Sequence, residues 1–384
     1  MKSMLFFRRL PRRLVALATV PVVLWAVFVS AGSASAGAAW QAMTASLPLQ
    51  ALRWELGDLW PQQEFSTAMV MALRQSPLLL SARYEIAQMW RQEEPSGGAE
   101  TQWETLQSPI REESVDPTVT PDVDNGVAAK TLLPTDLSGY TVCGTACISN
   151  STDYILSISD LQEDFAARLT PEAPQVLILH THGSEAYTPA AGAEVVWSGD
   201  HRTTDSRYNV VRAGDAIAQV LGEAGISVLH DRTLYDYPNY AGAYDRSLAA
   251  IESYLAQYPS ISFILDVHRD AIADTEGNQY KVLSASDGTL SQMTLVVGSD
   301  GGGAAHDDWM ENLRLAVALQ QQVLTADATV MRPILLRNSR YNQHATTGSL
   351  LLEVGAAGNA PEEAEAAARL FAAAFVEVLQ GQSK

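Results

Sequence analysis

Val176-Leu177-Ile178-Leu179-His180-Thr181-His182-Gly183-Ser184-Glu185-Ala186-Tyr187 is the stretch from which the rest of the chain is best read. The apolar run Val176 to Leu179, bounded by Pro174 and Gly183, predicts a fully buried strand. Two histidines and a glutamate follow its end within six positions. Side chains repeat every second residue along a strand, so His180 and His182 are expected on one side, with Glu185 on the following turn. Neutral imidazole and carboxylate are ligand types that Zn²⁺ accepts, and three protein ligands with an open position mark a catalytic site. A lone His-x-His suits a structural role equally well, so the decision falls to the other segments.

Two further strand ends answer it. The mainly apolar strand Phe263 to Val267 closes in His268-Arg269-Asp270, and Leu350-Leu351-Leu352 closes in Glu353. Ligands bind beyond the carboxyl ends of strands in open α/β sheets, so these three ends are expected to converge on one crevice. Charge then divides the work. His182, Glu185 and His268 form a two-histidine, one-carboxylate ligand set, and His180 is an alternative ligand or a support behind one. Zn²⁺ so held would acidify a water and polarise a carbonyl. Glu353 is the candidate general base and acid. Arg269 could hold a substrate carboxylate or an oxyanion, or pair with Asp270 to steady the loop.

Helices alternate with these strands. Tyr208 to Glu223 is amphipathic and closed by Gly225, Tyr244 to Tyr258 presents Leu248, Ile251 and Leu255, and Asp308 to Leu324 is helical. Pro361 with Glu362 and Glu363 opens a closing helix. Short strands are expected within Tyr140–Asp160 and at Ile226–Leu229, and Tyr280–Leu283 and Met293–Val297 are read as a hairpin turning at Asp287-Gly288. The fold class is α/β, a mixed sheet flanked by helices. No internal repeat or Gly-rich phosphate loop is present.

The chain of 384 residues carries 25 basic and 44 acidic residues. Lys2, Arg8, Arg9, Arg12 and Arg13 cluster at the start, leaving 20 against 44 for the remainder. That balance excludes nucleic acid as a partner. The basic cluster precedes an apolar run from Leu14 to Ala31, read as a membrane anchor with its N-terminus inside. Ser33-Ala34-Ser35-Ala36-Gly37 would also pass as a signal cleavage site. The expected organisation is a basic end and transmembrane segment at 1–36, a helical juxtamembrane region at 37–91, a flexible Glu/Pro/Ser/Thr-rich linker at 92–138 and the catalytic domain at 139–384. Either N-terminal reading puts that domain outside the cytoplasm. Cys143 and Cys147 could pair in an exported chain or stay reduced, and no catalytic role is assigned to them. His201, His230, His306 and His344 have no site role, although His344 could line the cleft. Tyr187, Trp197, Tyr235 and Tyr237 could stack on substrate or pack in loops.

The segment His180 to Tyr187, together with Asp266-Val267-His268-Arg269-Asp270-Ala271 and Leu351-Leu352-Glu353-Val354-Gly355, resembles the signature blocks of the stage II sporulation protein P family. Thr204 to Val211 and His230 to Pro238 also fit, and the resemblance runs from about Tyr140 to the C-terminus. It implies a zinc-dependent peptidoglycan hydrolase with the fold of the N-acetylmuramoyl-L-alanine amidases, cutting the muramoyl–L-alanine amide and, additionally, peptide cross-links during engulfment. It implies membrane attachment and stage II sporulation protein D as a partner. Those amidases' first His-Gly corresponds to His182-Gly183, their later histidine to His268 and their catalytic glutamate to Glu353. Their ligating glutamate corresponds to a position near Asp205, so Glu185 or Asp205 supplies the metal carboxylate. The alternatives are a general wall amidase and a wall-binding scaffold with an inactive metal site.

Overall fold

In the computed structural model, which describes residues 113–115, 120–274 and 277–381, most of the apolar runs become strands of one eight-stranded sheet. The expected anchor and juxtamembrane helix lie outside the described residues. No helix among the described residues is long and apolar enough to cross a membrane. In chain order the elements are β1 (Glu113–Val115), β2 (Ala129–Leu133), β3 (Thr141–Cys143), β4 (Ala146–Asn150), α1 (Ile158–Leu161), β5 (Val176–Leu179) and α2 (Val211–Glu223). They continue as β6 (Val228–His230), α3 (Ala243–Gln257), β7 (Phe263–Asp270), β8 (Lys281–Val282), β9 (Met293–Gly298) and α4 (Trp309–Ala326). The last are β10 (Ile334–Arg337), β11 (Gly348–Ala356) and α5 (Pro361–Gly381).

The large sheet has the order β3-β4-β10-β9-β11-β7-β5-β6. β11, β7, β5 and β6 run parallel, and β4, β10 and β9 run parallel to one another, with the direction reversing where β11 meets β9. The sheet is therefore mixed, as expected.

Strand alternation separates two faces. Val176, Ile178, Phe263, Leu265, Val267, Leu350, Leu352, Leu295, Val297, Ile334 and Leu336 join one core with residues of α2, α4 and α5. Leu177, Leu179 and Ile264 face the other way, into a small cluster with Ile251 of α3. The second face thus has a helix over β5 and β7. The face-two side chains further on are Asp266, His268, Leu351, Glu353, Val296, Leu335 and Arg337. This is the face that carries the site.

Local chemistry explains the boundaries. α2 starts at Val211 and not at Tyr208, because Asn209 Oδ1 accepts the Val211 N–H at 3.1 Å. Glu363, in the first turn of α5, accepts the Ala360 N–H at 2.9 Å, and its other oxygen pairs with the buried Lys281 at 2.7 Å. The hairpin expected through Asp287-Gly288 does not form as one sheet element. β8 belongs to a three-stranded sheet β1-β2-β8 and β9 to the large one, with a single antiparallel bridge, Leu283 to Ser291, between them. β10 has no counterpart among the expected strands. The stretch read as linker contains β1 and β2, and β2 pairs with β8, so that part is attached to the domain. Lys281 Nζ also donates to Val123 O at 2.8 Å. No disulfide joins Cys143 and Cys147. Cys143 pairs with Ala146 and Cys147 with Val142 across the β3–β4 hairpin, which turns the two sulfurs to opposite faces.

One contact ties the core to the site. A Cβ at Gly214, inside α2, would lie 2.6 Å from His180 Nε2 and 2.7 Å from His230 Nε2. Ala is ordinarily the better helix residue by about 0.5–1 kcal/mol, but here the overlap with a buried, hydrogen-bonded ring pair dominates. Gly214→Ala is expected to destabilise the chain by about 1–3 kcal/mol, read as a fall in Tm. An unchanged or higher Tm would mean that the rings move aside freely.

Candidate metal centre and its pocket

β5 ends at Leu179, and residues 181–184 form a turn closed by the Glu185 N–H on His182 O at 3.0 Å. Two buried carboxylates hold that turn. Asp266 accepts from Thr181 N at 2.8 Å and Thr181 Oγ1 at 2.6 Å, and Asp236 accepts from Ser184 N at 3.0 Å and Ser184 Oγ at 2.5 Å. At Gly183 a Cβ would sit 2.8 Å from the Leu234 side chain and 3.2 Å from its Cα, so the turn needs a residue without one.

The turn overturns the expectation that His180 and His182 share a side, because the two-residue period stops with the strand. The Nδ1–H of His180 donates to Val267 O at 2.8 Å, and its Nε2 lies 2.8 Å from His230 Nε2, against α2. Burial first, then the neighbouring His230, pushes the His180 pKa down to about 3, so the ring is neutral. His182 points the other way. Its ring stacks on Tyr240 at 4.6 Å and meets Tyr244 and His268 edge-on at 5.5 and 5.1 Å.

Glu185 joins the two imidazoles. Its Oε1 lies 3.4 Å from His182 Nδ1 and its Oε2 3.3 Å from His268 Nδ1. One ligand atom each from His182, Glu185 and His268 falls within 4.8 Å of the others, and this is the cluster of metal-ligating side chains among the described residues. Asp205 is apart from it, its carboxylate held by Arg207 at 2.6 Å. His268 Nε2 lies 3.0 Å from Asp266 Oδ1. A carboxylate there favours a proton on Nε2, so Nδ1, the nitrogen beside Glu185, is the one that a metal would take in place of its proton. The donor set therefore fits a divalent cation such as Zn²⁺.

The electrostatics follow from burial and neighbours. Burial alone would raise the Glu185 pKa, but the Arg269 guanidinium and the hydrogen bonds of His182 and His268 hold it well below the usual carboxylate range. Burial would lower His268, and Asp266 and Glu185 overcome it and raise it. Glu353 behaves oppositely. Burial, reinforced by Asp270 and Glu185 against the opposing charges of His268 and Arg269, pushes its carboxyl up to about 8. Its Oε2 has no hydrogen-bond partner among the described residues.

Glu353 and the triad open onto one pocket of about 460 Å³, which runs past Tyr240, Tyr244 and Tyr341 to Arg337 and Arg340. Register explains the meeting: Glu353 is the direct neighbour of His268 across the parallel β11–β7 pair. The Arg269 guanidinium is engaged by Ala186 O at 3.2 Å and His201 O at 3.1 Å, so it braces the loop after Glu185, and it also donates to Asp270 O at 3.4 Å, while the Asp270 carboxylate pairs with Arg332.

Sequence reasoning passed over Asp266, Tyr240, Tyr244 and Tyr341. Asp266 was within reach, lying two positions before His268 on the same strand face. Tyr187 and Tyr235 are packing groups, the first donating to Val354 O at 3.0 Å and the second to Asp231. His344 lies beside His306, with ring centres 6.5 Å apart, and does not line the pocket.

The sequence profile of the family described as Stage II sporulation protein P (SpoIIP) matches residues 90–376. Stage II sporulation protein P of Bacillus subtilis (strain 168) is 27% identical over 234 residues, covering 56% of this chain. The match covers 54% of that relative, so this chain spans about half of its length. Among solved structures, the N-acetylmuramoyl-L-alanine amidase AmiC2 of Nostoc punctiforme aligns at 11% identity and a TM-score of 0.32, covering 55% of this chain and 98% of its own. The N-acetylmuramyl-L-alanine amidase Ami1 from Mycobacterium smegmatis aligns at 13% and a TM-score of 0.34, covering 56% and 100%.

Glu353 provides a direct test of the electrostatics. Its folded-state pKa, about 8, stands above the ordinary value of 4.5, so the stability associated with its protonated form is full below pH 4.5 and is lost as pH rises through 8. In metal-free chain, Glu353→Gln lacks this loss. The variant should gain on wild type between pH 5 and 9 by about 2–4 kcal/mol at the upper end, discounted for the carboxyl's opening to the pocket. Denaturant titrations across that range measure it, and parallel curves would contradict the raised pKa.

Proposed function

The chain belongs to the stage II sporulation protein P family, and from that premise we propose that the pocket is the active site of a zinc-dependent peptidoglycan hydrolase, with the N-acetylmuramoyl-L-alanine amide as its first substrate and peptide cross-links as a second. The observation that carries this reading is the meeting of His182, Glu185 and His268 with the partnerless Glu353 oxygen in one pocket.

In this reading His182, Glu185 and His268 hold the ion. When bound, Zn²⁺ supplies a Lewis acid for the amide carbonyl and lowers the pKa of a water. Asp266 keeps the Nε2 proton of His268 and so fixes the ring that offers Nδ1. Glu353 takes the proton of the attacking water on its carboxylate and returns it to the leaving amine nitrogen. A carboxyl with a pKa of about 8 is near enough to neutrality to do both. Tyr240 stacks on His182 and steadies its ring at the edge of the pocket. Arg269 holds the loop backbone at Ala186 and His201, which keeps Glu185 at the two imidazoles.

The same proposal takes residues 14–31 as a single-pass anchor, puts the hydrolase domain outside the cytoplasm, and takes stage II sporulation protein D as a partner in engulfment. A scaffold with an inert metal site is the weaker reading, because wall binding alone gives no reason to bury a carboxyl whose oxygen lacks a partner.

Digestion of purified peptidoglycan by the full chain in detergent, with products read by mass spectrometry and zinc measured on each variant, tests this reading. Wild type is expected to contain zinc and release stem peptides from glycan. Glu353→Gln should keep the zinc and lose about 10²–10⁴ in rate. His182→Ala and His268→Ala should lose both, and Asp266→Asn should bind zinc about 10–100-fold more weakly. A wild-type chain without zinc and without release would overturn the reading.

A further inference from the structure

The hydrolase reading uses one end of the pocket. The other end is built differently. From Glu353 the pocket crosses the second face of the sheet over Leu351, Val296 and Leu335, which are direct neighbours across β11, β9 and β10. This floor is apolar. It leads to Arg337, the last residue of β10, and to Arg340 on the loop that follows.

Tyr244 and Tyr341 line the groove and pack on each other, with ring centres 6.1 Å apart. Tyr341 and Asn342 hold positive φ angles of 46° and 57°, a conformation that non-glycine residues adopt when surrounding contacts over-determine it. Asn342 Nδ2 supplies such contacts, donating to Tyr244 O at 2.8 Å and to Ser247 Oγ at 3.2 Å of α3. The arginines are held as well. Arg337 donates to Ser151 Oγ, and Arg340 donates to Ala305 O at 3.2 Å.

The groove is therefore polarised. Two fixed guanidinium groups attract an anion at the far end, whereas the lining at the triad end has none but Arg269, already engaged by backbone carbonyls, and a guanidinium matches a carboxylate in a bidentate pair. Register gives the span. Arg337 lies two strand spacings across from Glu353 and four residues along, about 16 Å between Cα atoms. An extended chain covers that distance in about five residues.

We infer, resting on the hydrolase reading for the identity of the scissile bond, that Arg337 with Arg340 forms a subsite for the free terminal carboxylate of a short extended peptide of about five residues, whose scissile amide lies at the triad. The apolar floor accepts the intervening side chains. The substrates favoured are uncross-linked peptides of that length with an unmodified terminal acid, and amidated or much shorter peptides lose the contact.

The test is binding, kept separate from turnover. Calorimetry on the zinc-loaded full chain carrying Glu353→Gln would compare N-acetylmuramoyl-pentapeptide with a free terminal carboxylate, the same compound with that terminus amidated, and the N-acetylmuramoyl-dipeptide in both forms. The free pentapeptide is expected to bind about tenfold more tightly than its amide, the scale of one hydrogen-bonded charge pair. The dipeptide, too short to reach, should show no such preference. Adding Arg337→Gln should bring the two pentapeptides close to parity without weakening the amidated one, and Arg340→Gln should narrow the gap in the same direction. In wild-type turnover the preference should appear in KM and not in kcat. Equal binding of the two pentapeptides by the parent chain, a comparison that needs no arginine variant to fold, would overturn the subsite, as would a preference that survives both substitutions. Preferential binding with no cleavage by wild type would instead count against the hydrolase reading alone.

Discussion

The parallel pairing of β7 with β11 is the constraint on which the site depends. It puts Glu353 beside His268, and Leu351 beside Asp266, on the one sheet face that is not committed to the main core. Because the side-chain period of a strand is two, a slip of one residue would drive Glu353 into the packing of Leu350, Leu352 and α5 and bring a leucine to the pocket. The nine-residue length of β11 and its pairing on both sides, to β7 and β9, fix the register. The chemistry is therefore written into the sheet before any loop is considered. Only His182 and Glu185 come from a turn, and that turn is fastened to the sheet through Thr181 and Asp266.

Charge is concentrated here to a degree that the fold must offset. Glu185, Asp266 and Glu353 are carboxylates within a small volume, and each meets the crowding differently. Glu185 has two imidazoles and the Arg269 field, and ionises easily. Asp266 has Thr181 and His268, which outweigh its burial and lower its pKa. Glu353 has no hydrogen-bond partner at one oxygen, and keeps its proton to a pKa of about 8. Two neighbouring acids with pKa values pushed apart is the pattern by which one site assigns a fixed anionic role to one group and a proton-carrying role to another.

Much of this was legible in the sequence, because buried strands announce themselves as apolar runs and a polar residue at the end of such a run is conspicuous. His182, Glu185, His268 and Glu353 were all found that way. The misreadings share a cause: local pattern does not report where an element stops. A strand period carried through the turn puts His180 on the side of His182, whereas the Asp266 contacts to Thr181 end the strand at Leu179. β10 gives little signal because Ile334-Leu335-Leu336 is only three apolar residues behind Pro333, and its strand character comes from the partners β4 and β9. β1 and β2 have the polar composition of a linker, which says nothing of the buried Lys281–Glu363 pair behind them. Asp205 drew notice through an alignment of motifs, but its neighbour Arg207 holds it in a surface pair.

The pocket has room because of how the sheet is wound. The β9-to-β10 crossover carries its helix, α4, to the first face, where Leu313, Ala316 and Val323 pack into the main core. The link from β10 to β11 contains only a short 3₁₀ turn at Gln343–Ala345. That step supplies no helix for the second face, and α3 serves β5 and β7. Leu335, Val296 and Leu351 are thus left as a floor beside the point where strand direction reverses. The same short link leaves Tyr341 and Asn342 in left-handed backbone, tied to α3 through Asn342, so the segment that fails to cover the sheet becomes the wall of the groove. A longer crossover with a helix of its own would bury the floor and leave the triad at a closed surface. An uncovered strip of sheet, bounded at one end by ligands and an acid and at the other by fixed cations, is what turns a metal-competent cluster into a site able to choose its substrate.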